Sequence, residues 1–399
     1  MGKMREICGR LAESGERVRV TIDGEKIQKV ESVPGNPSPS DKSAEPDEVW
    51  IAPGLIDLQI NGFAGNDLNL TGASPEERAV AVRNLTRKVL ESGVTSFCPT
   101  VITASYEEIH AGMKAIRLAC ENDPLVDRAV AGIHLEGPYL SEEDGPRGAH
   151  PREYIKDPDW REFVSWQEAA GGRIRIVTLA PERAGALEMI KRLAEAGIVV
   201  CIGHTGASHE EIVRAAEAGA KMSTHLGNGA HPLLPRHPNY IWSQLAEDRL
   251  AASIIADGHH LHPSVVKVMA RVKQGRLVLV SDAVHLAGMK PGIYKTHVGG
   301  EVELLPSGRL QIVTNPLILA GSASSLTDCV GRFARFAECS LAQAIAPATR
   351  APARIANIER TAAGRGKGSL LCRSFAVHMG PRSMPNRRPS GNQTGRDGL

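Results

Sequence analysis

Apolar positions recur along the middle of this chain in two alternating rhythms. From residue 50 to about 282, short runs rich in Val, Ile and Leu alternate with longer stretches whose apolar residues fall three and four apart. The runs 51–60, 94–99, 129–135, 173–179, 198–202, 220–224, 251–256 and 277–281 read as buried strands. The stretches 76–91, 106–120, 183–196, 208–218 and 263–274 read as amphipathic helices between them. Eight strands with intervening helices over roughly 230 residues predict a closed (β/α)8 barrel of the TIM type. A doubly wound open sheet is the rival, but no Gly-rich dinucleotide turn follows the first strand.

Outside that region the rhythm changes. RVRVTIDG and KIQKVESV near the N-terminus predict strands of a small sheet, followed by the polar, proline-rich link PGNPSPSDKSAEPDE. GIYKTHVGGEVELLPSGRLQIV predicts a pair of β-hairpins after the eighth strand, and helices follow at 325–338 and 341–349. The expected division is a small β domain at 1–50, a catalytic barrel at 51–350, and a return segment with a disordered tail at 351–399. That tail, basic and rich in Pro, Gly, Ser and Asn, has no sustained period after Gly368.

Composition narrows the function classes. Across 399 residues, 42% are hydrophobic and 23% charged, as in a globular protein, and the net charge of +2 argues against a nucleic-acid or membrane-surface binder. Aromatics at 4% leave little for base-stacking platforms. No apolar run approaches the ~20 residues of a membrane span, and the N-terminus has no apolar signal core. Seven cysteines, without a C-x-x-C pair and several of them in apolar runs, read as reduced core residues of a cytoplasmic protein.

The polar residues that could do chemistry fall where the predicted strands stop. Gln59 and Asn61 end the first strand, Glu136 follows the third, His204 the fifth, His225 the sixth and Asp282 the eighth. In a parallel barrel those ends share one rim. Two imidazoles and a carboxylate make a three-ligand metal site with an open position for water, and an Asp opposite could take that water's proton. Taken singly, Glu136 reads equally as a satisfied buried carboxylate and Asp282 as a turn cap; the four together favour chemistry. Gly137, Gly203 and Gly206 flank the ligands, where a backbone must pass close.

In order along the chain, PGLIDLQINGFAG, HLEGPYLS, GHTGAS, THLGN, ADGHH and SDAVHLAGM resemble the N-acetylglucosamine-6-phosphate deacetylases of the amidohydrolase superfamily, over about residues 50 to 350. The resemblance implies hydrolysis of the N-acetyl group of an acetamido sugar phosphate, with acetate and the free amine as products. It implies Glu136, His204 and His225 as metal ligands. Asp282 is implied as the residue that activates water and then protonates the amine. It further implies His260 at the acetyl carbonyl, with His259 as a neighbour of undecided role, and His150 near the sugar hydroxyls or in an exposed loop. Gln59 and Asn61 stand where many amidohydrolases have the His-x-His of a second metal. Carboxamides are poor ligands for such an ion, so a single divalent cation is expected, zinc first, with iron, cobalt or manganese also suited to the ligand set. A homodimer is implied as well.

At the phosphate end THLGNGAHPLLPRHP departs from the family's T-H-x-x-N-A-M-P. Asn228 and Gly229 remain candidates for backbone contacts and Arg236 for the phosphate; His237 and Asn239 could serve the ligand or occupy a solvated loop, the loop being favoured. The altered loop leaves another N-acyl compound, an N-acyl amino acid or a non-phosphorylated acetamido sugar, as the alternative substrate. The family's Gly-Asp-Ala-Asp-type return strand has no counterpart after GRGKGSL, so the small sheet is expected to lack strands and expose an edge. A shifted reading frame near Leu370 is one hypothesis for this; finding no Asp-rich apolar strand in the other two frames of the coding sequence would sink it.

Overall fold

The computed structural model describes residues 4–24, 26–33, 49–296, 300–358 and the strand 374–377. Eight parallel strands run in consecutive order round a barrel: Leu55–Ile60, Val94–Ile102, Ile133–Glu136, Ile174–Leu179, Val199–Ile202, Met222–Ser223, Ala251–Ile255 and Leu277–Val280. Seven neighbouring pairs form ladders, while the first and last strands meet at a seam by the isolated bridge Ile60–Ala283. The fold is the expected (β/α)8 barrel.

Why these segments form these elements is local chemistry. Ser74, Ser208 and Ser325 each cap a helix, and Glu77, Glu211 and Asp328 three residues on close the reciprocal hydrogen bond. The helices Pro75–Glu91, His209–Ala218 and Leu326–Phe336 therefore start at defined positions. The second of these caps leaves only a short loop between the fifth strand and its helix, which pins His204 to the strand end. Inside the barrel, Leu58, Cys98, Ile176, Cys201, Met222, Ala251 and Val278 form one buried cluster. On the third strand a histidine takes the equivalent place: His134 meets the Leu58 carbonyl through Nδ1 at 3.1 Å and Thr178 Oγ1 through Nε2 at 2.7 Å. Burial holds it down to about 4, a neutral ring.

Several expected boundaries are corrected. The run 51–60 is two strands: Trp50–Pro53 belongs to the small sheet and Leu55–Ile60 to the barrel. Gly54 makes the crossing, because a Cβ there would stand 2.0 Å from Thr95 Oγ1. The start of the run 129–135 is helical, Pro124–Ala129, and the third strand is the shorter Ile133–Glu136. Only Met222–Ser223 of the run 220–224 joins a ladder. The hairpins after the eighth strand form a four-stranded sheet, Gly292–Thr296, Gly300–Leu304, Leu310–Ile312 and Asn315–Leu319. The return strand expected to be missing is present: Ser374–Val377 pairs antiparallel with Trp50–Pro53 and completes a five-stranded sheet. Its apolar period over four residues was too short to register within a basic tail. The proline-rich link and the rest of that tail lie outside the described residues.

Candidate active site

Glu136, His204, His225 and Asp282 meet at the C-terminal rim although 146 residues separate the first from the last. Glu136 Oε1 lies 3.0 Å from His225 Nε2 and 3.3 Å from His204 Nε2, and the two imidazole nitrogens are 3.1 Å apart. One ligand atom from each of the three lies within 4.8 Å of the others. His204, His225 and Asp282 all have left-handed backbone conformations, φ +51°, +27° and +47°. Non-glycine residues adopt this region only where the surroundings hold them, a form of strain that gathers at functional sites.

The donor chemistry of this cluster suits a divalent cation. His204 Nδ1 faces the Pro146 carbonyl at 2.8 Å, and a carbonyl only accepts, so Nδ1 carries the proton and Nε2 of the neutral ring presents a lone pair. That lone pair points at the carboxylate and at the second imidazole, where two acceptors need a shared positive charge. Burial alone would lift Glu136, but the His204 and His225 hydrogen bonds hold it well below the usual carboxylate range. Burial alone would lower His225, and Glu136 raises it instead. Three protein ligands of this kind leave a coordination position open.

Around the cluster, carboxamides hold the carboxylates. Gln59 Nε2 donates to Glu136 Oε1 at 2.9 Å, and Asn61 Nδ2 donates to Asp282 Oδ1 at 2.7 Å. Gln59 and Asn61 therefore serve as hydrogen-bond donors to these two carboxylates. Burial, and then the negative charge of Glu136, raises Asp282 to about 6. His260 Nδ1 lies 2.7 Å from Asp257 Oδ2, and two backbone N–H groups, of His259 and His260, donate to Asp257 Oδ1. Against burial, the His260 hydrogen bond brings Asp257 down to about 2, so an ionised carboxylate orients this imidazole. Sequence reading passed over Asp257; its signal is an acidic residue three positions before the ring in ADGHH.

A cavity of about 450 Å³ opens above these groups. Asn61, Glu136, His150, His204, His225, Asn228, Gly229, His260 and Asp282 all line it, so the structure brings together nearly all the residues singled out in the sequence. Gln59 lies beside the cavity, on Glu136. His150 is buried, with Nε2 3.2 Å from His204 Nε2, which excludes the exposed-loop reading. Gly229 has φ +56°, and a Cβ there would lie 2.5 Å from His204 Nδ1, so this loop can pass over the His204 ring only as glycine. Val302, Leu310 and Leu319 of the four-stranded sheet also line the cavity, with Ile255, Val284 and Leu286 as further apolar lining.

Three sequence candidates lie elsewhere. Arg236 is exposed and does not line the cavity, and among the described residues no lysine or arginine does. His259 turns to the four-stranded sheet, meeting the Ser307 carbonyl through Nε2 at 3.2 Å. Asn239 caps the helix Tyr240–Ala246, accepting from the N–H groups of Ile241 and Trp242. Two residues missed in the sequence, Asp67 and His285, line the cavity too. Asp67 and His285 pair at 3.1 Å, a contact between the loops of the first and last strands that no spacing announces. His231 is clasped between Glu143 Oε2 at 2.9 Å and the Tyr240 hydroxyl at 3.0 Å, tying the loop that carries His150 to the one that carries Asn228.

The chain as a whole is similar to known proteins. The pattern of the amidohydrolase family matches residues 50–363. The chain is 34% identical over 325 residues to the N-acetylglucosamine-6-phosphate deacetylase of Bacillus subtilis, covering 80% of this chain and 79% of the relative. It is 31% identical over 315 residues to the N-acetylgalactosamine-6-phosphate deacetylase of Escherichia coli O157:H7, covering 79% and 80%. The N-acetyl-D-glucosamine-6-phosphate deacetylase of Mycobacterium smegmatis, solved with N-acetyl-D-glucosamine-6-phosphate, superposes with a TM-score of 0.75 at 25% identity over 90% of this chain and 91% of that one.

Proposed function

The chain belongs to the amidohydrolase family and, within it, to the N-acetylglucosamine-6-phosphate deacetylases, and from that premise we propose that it hydrolyses N-acetylglucosamine 6-phosphate to glucosamine 6-phosphate and acetate. The observation that carries the reading is the convergence of Glu136, His204 and His225 with Asp282 on one rim of the cavity. Zinc is the expected ion for a His2Glu set with an open position. When bound, such a cation supplies a water of lowered pKa and a Lewis acid for the acyl carbonyl.

The protein's own groups do the rest. Asn61 fixes one oxygen of Asp282, leaving the other to take the proton that the attacking water gives up. As the carbon–nitrogen bond breaks, the water oxygen stays with acetate and Asp282 returns the proton to the departing amine. His260, held by Asp257, directs Nε2 toward the acyl oxygen, where negative charge gathers in the transition state. The apolar lining from the four-stranded sheet receives the acetyl methyl and keeps bulk water out.

The phosphate falls to the loop of Asn228 and Gly229 and to Arg236, which must come from a moved loop or a second copy. Leu233 and Trp242, 88% and 54% exposed on the same segment, are the apolar surface that a homodimer would cover. No helix among the described residues is long and apolar enough to cross a membrane. The six cysteines among the described residues are free, as a reducing cytoplasm would keep them.

Acetate release measured with N-acetylglucosamine 6-phosphate, its galacto epimer, N-acetylglucosamine and an N-acyl amino acid tests the reading. The highest kcat/KM is expected with a phosphorylated sugar; preference for the amino acid or the phosphate-free sugar overturns it. Arg236→Ala is expected to raise KM about tenfold for the phosphorylated sugar alone, with kcat little changed. Equal KM values for variant and wild type would remove Arg236 from the phosphate site.

A further inference from the structure

The barrel closes differently at its seam than anywhere else. Among the described residues, the first and last strands share no ladder, only the bridge Ile60–Ala283. On the other side of the first strand, its register with the second skips between Asp57 and Ile60, so Leu58 and Gln59 leave that ladder. A buried carboxylate sits in this gap. Asp57, 1% exposed, accepts through Oδ1 from the Ser281 N–H at 3.1 Å and from the Gln59 N–H at 3.3 Å. Beside it the Asp282 N–H donates to the Gln59 carbonyl at 2.9 Å, and the Asn61 N–H to the Ala283 carbonyl at 2.8 Å.

We propose that Asp57 is a positioning residue for the hydrolysis: its carboxyl oxygen stands in for the missing ladder at the seam and so sets where Asp282 and Gln59 point. The consequence runs in both directions from one atom. On the last strand, Ser281 is held one residue before Asp282, whose left-handed backbone keeps its place only if its neighbours are fixed. On the first strand, Gln59 is held so that its carboxamide reaches Glu136 and its carbonyl reaches Asp282. One acceptor thereby sets the spacing between the proton-transfer residue and the ligand carboxylate.

Asp57 does this through an acceptor oxygen that the neutral and the ionised carboxyl both offer. Its Oδ2 is buried and has no partner, an arrangement that disfavours an ionised group, and burial raises the carboxyl to about 7. An amide of the same shape offers the same acceptor atom, so Asp57→Asn is the conservative variant and Asp57→Ala the disruptive one.

The proposal rests on the deacetylase reading for its kinetic arm only. Both variants are assayed for kcat and KM with N-acetylglucosamine 6-phosphate, for bound metal, and for backbone hydrogen exchange in peptides spanning 57–60 and 277–284. The Asn variant is expected to keep the wild-type kcat, pH profile and exchange protection. The Ala variant is expected to lose about 10²-fold in kcat, the cost of a small misplacement of reacting groups, with KM and metal content held and faster exchange confined to the two peptides. An Asn variant that loses as much as the Ala variant, or a folded Ala variant with unchanged kcat and exchange, overturns the proposal. Should the Ala variant not fold, the Asn variant decides: protected Ser281 and Gln59 amides with wild-type kcat support it, and exposed amides overturn it. Wild-type protein that releases no acetate would defeat the deacetylase reading, while the exchange comparison would still decide the role of Asp57.

Discussion

Replacing Asp282 by Asn is expected to lower kcat by about 10²- to 10⁴-fold, the usual worth of a positioned general acid–base group, without loss of bound metal. The asymmetry follows from the site. Glu136, His204 and His225 converge without Asp282, whereas Asp282 is held by Asn61 and faces the cavity. An amide keeps the shape and the contact to Asn61 but cannot take a proton from water at neutral pH. The pH profile supplies the companion result. Proton uptake needs the ionised carboxylate, so kcat falls as pH drops through the folded-state value. Burial and the charge of Glu136 lift that value to about 6 in the metal-free protein. A cation beside it favours the ionised form, so the acid limb of the loaded enzyme is expected below 6. Single-turnover acetate release with matched metal analysis checks both results; an Asn variant as active as wild type ends the proton-transfer role.

The second large effect is the collapse of metal binding on loss of a ligand. Glu136→Ala leaves His204 Nε2 and His225 Nε2, 3.1 Å apart, as a two-imidazole remnant without the negative charge that offsets a cation. Bound metal is expected to fall from one ion per chain to near zero, and activity with it. Because an ion that binds only the folded state adds stability by mass action, about 2.7 kcal/mol at 100 times its Kd, the wild-type melting temperature should also drop on chelation and recover on adding metal back. The Glu136→Ala melting temperature should not respond to either treatment. Full metal content in that variant would mean that the ion sits elsewhere. Gln59→Leu gives an intermediate case: Glu136 keeps its place in the cluster but loses the amide donor, a change that typically costs about 10- to 100-fold in metal affinity.

Much of this architecture was legible in the chain because it depends on near neighbours. Apolar runs with period 2 or 3.6 reflect which face of a strand or helix is buried, and the serine caps mark where helices begin. Hence the strand order and the placement of Glu136, His204, His225 and Asp282 at strand ends could be read directly. Boundaries failed where a local pattern had two physical solutions. The run 51–60 is apolar throughout, yet it serves two sheets because Gly54 lets the chain pass Thr95 at a distance no side chain permits. The Ser374–Val377 strand is specified by its antiparallel partner Trp50–Pro53, some 320 residues away, and its own four residues are too few to carry a period.

What the amino-acid order determined by itself was the type of chemistry: a carboxylate, two imidazoles and an aspartate, each at the end of an element, because strand ends are a local property of the chain. What only the tertiary structure decided was which atoms meet. It placed Gln59 on Glu136 and Asn61 on Asp282, paired Asp257 with His260 across three residues and Asp67 with His285 across 218, left Arg236 outside the cavity, and put Asp57 into the seam. The reason is geometric. Closing eight twisted strands into a ring brings residues far apart in the chain within 3 Å of one another, and that distance is set by the ring as a whole and by no single segment of it.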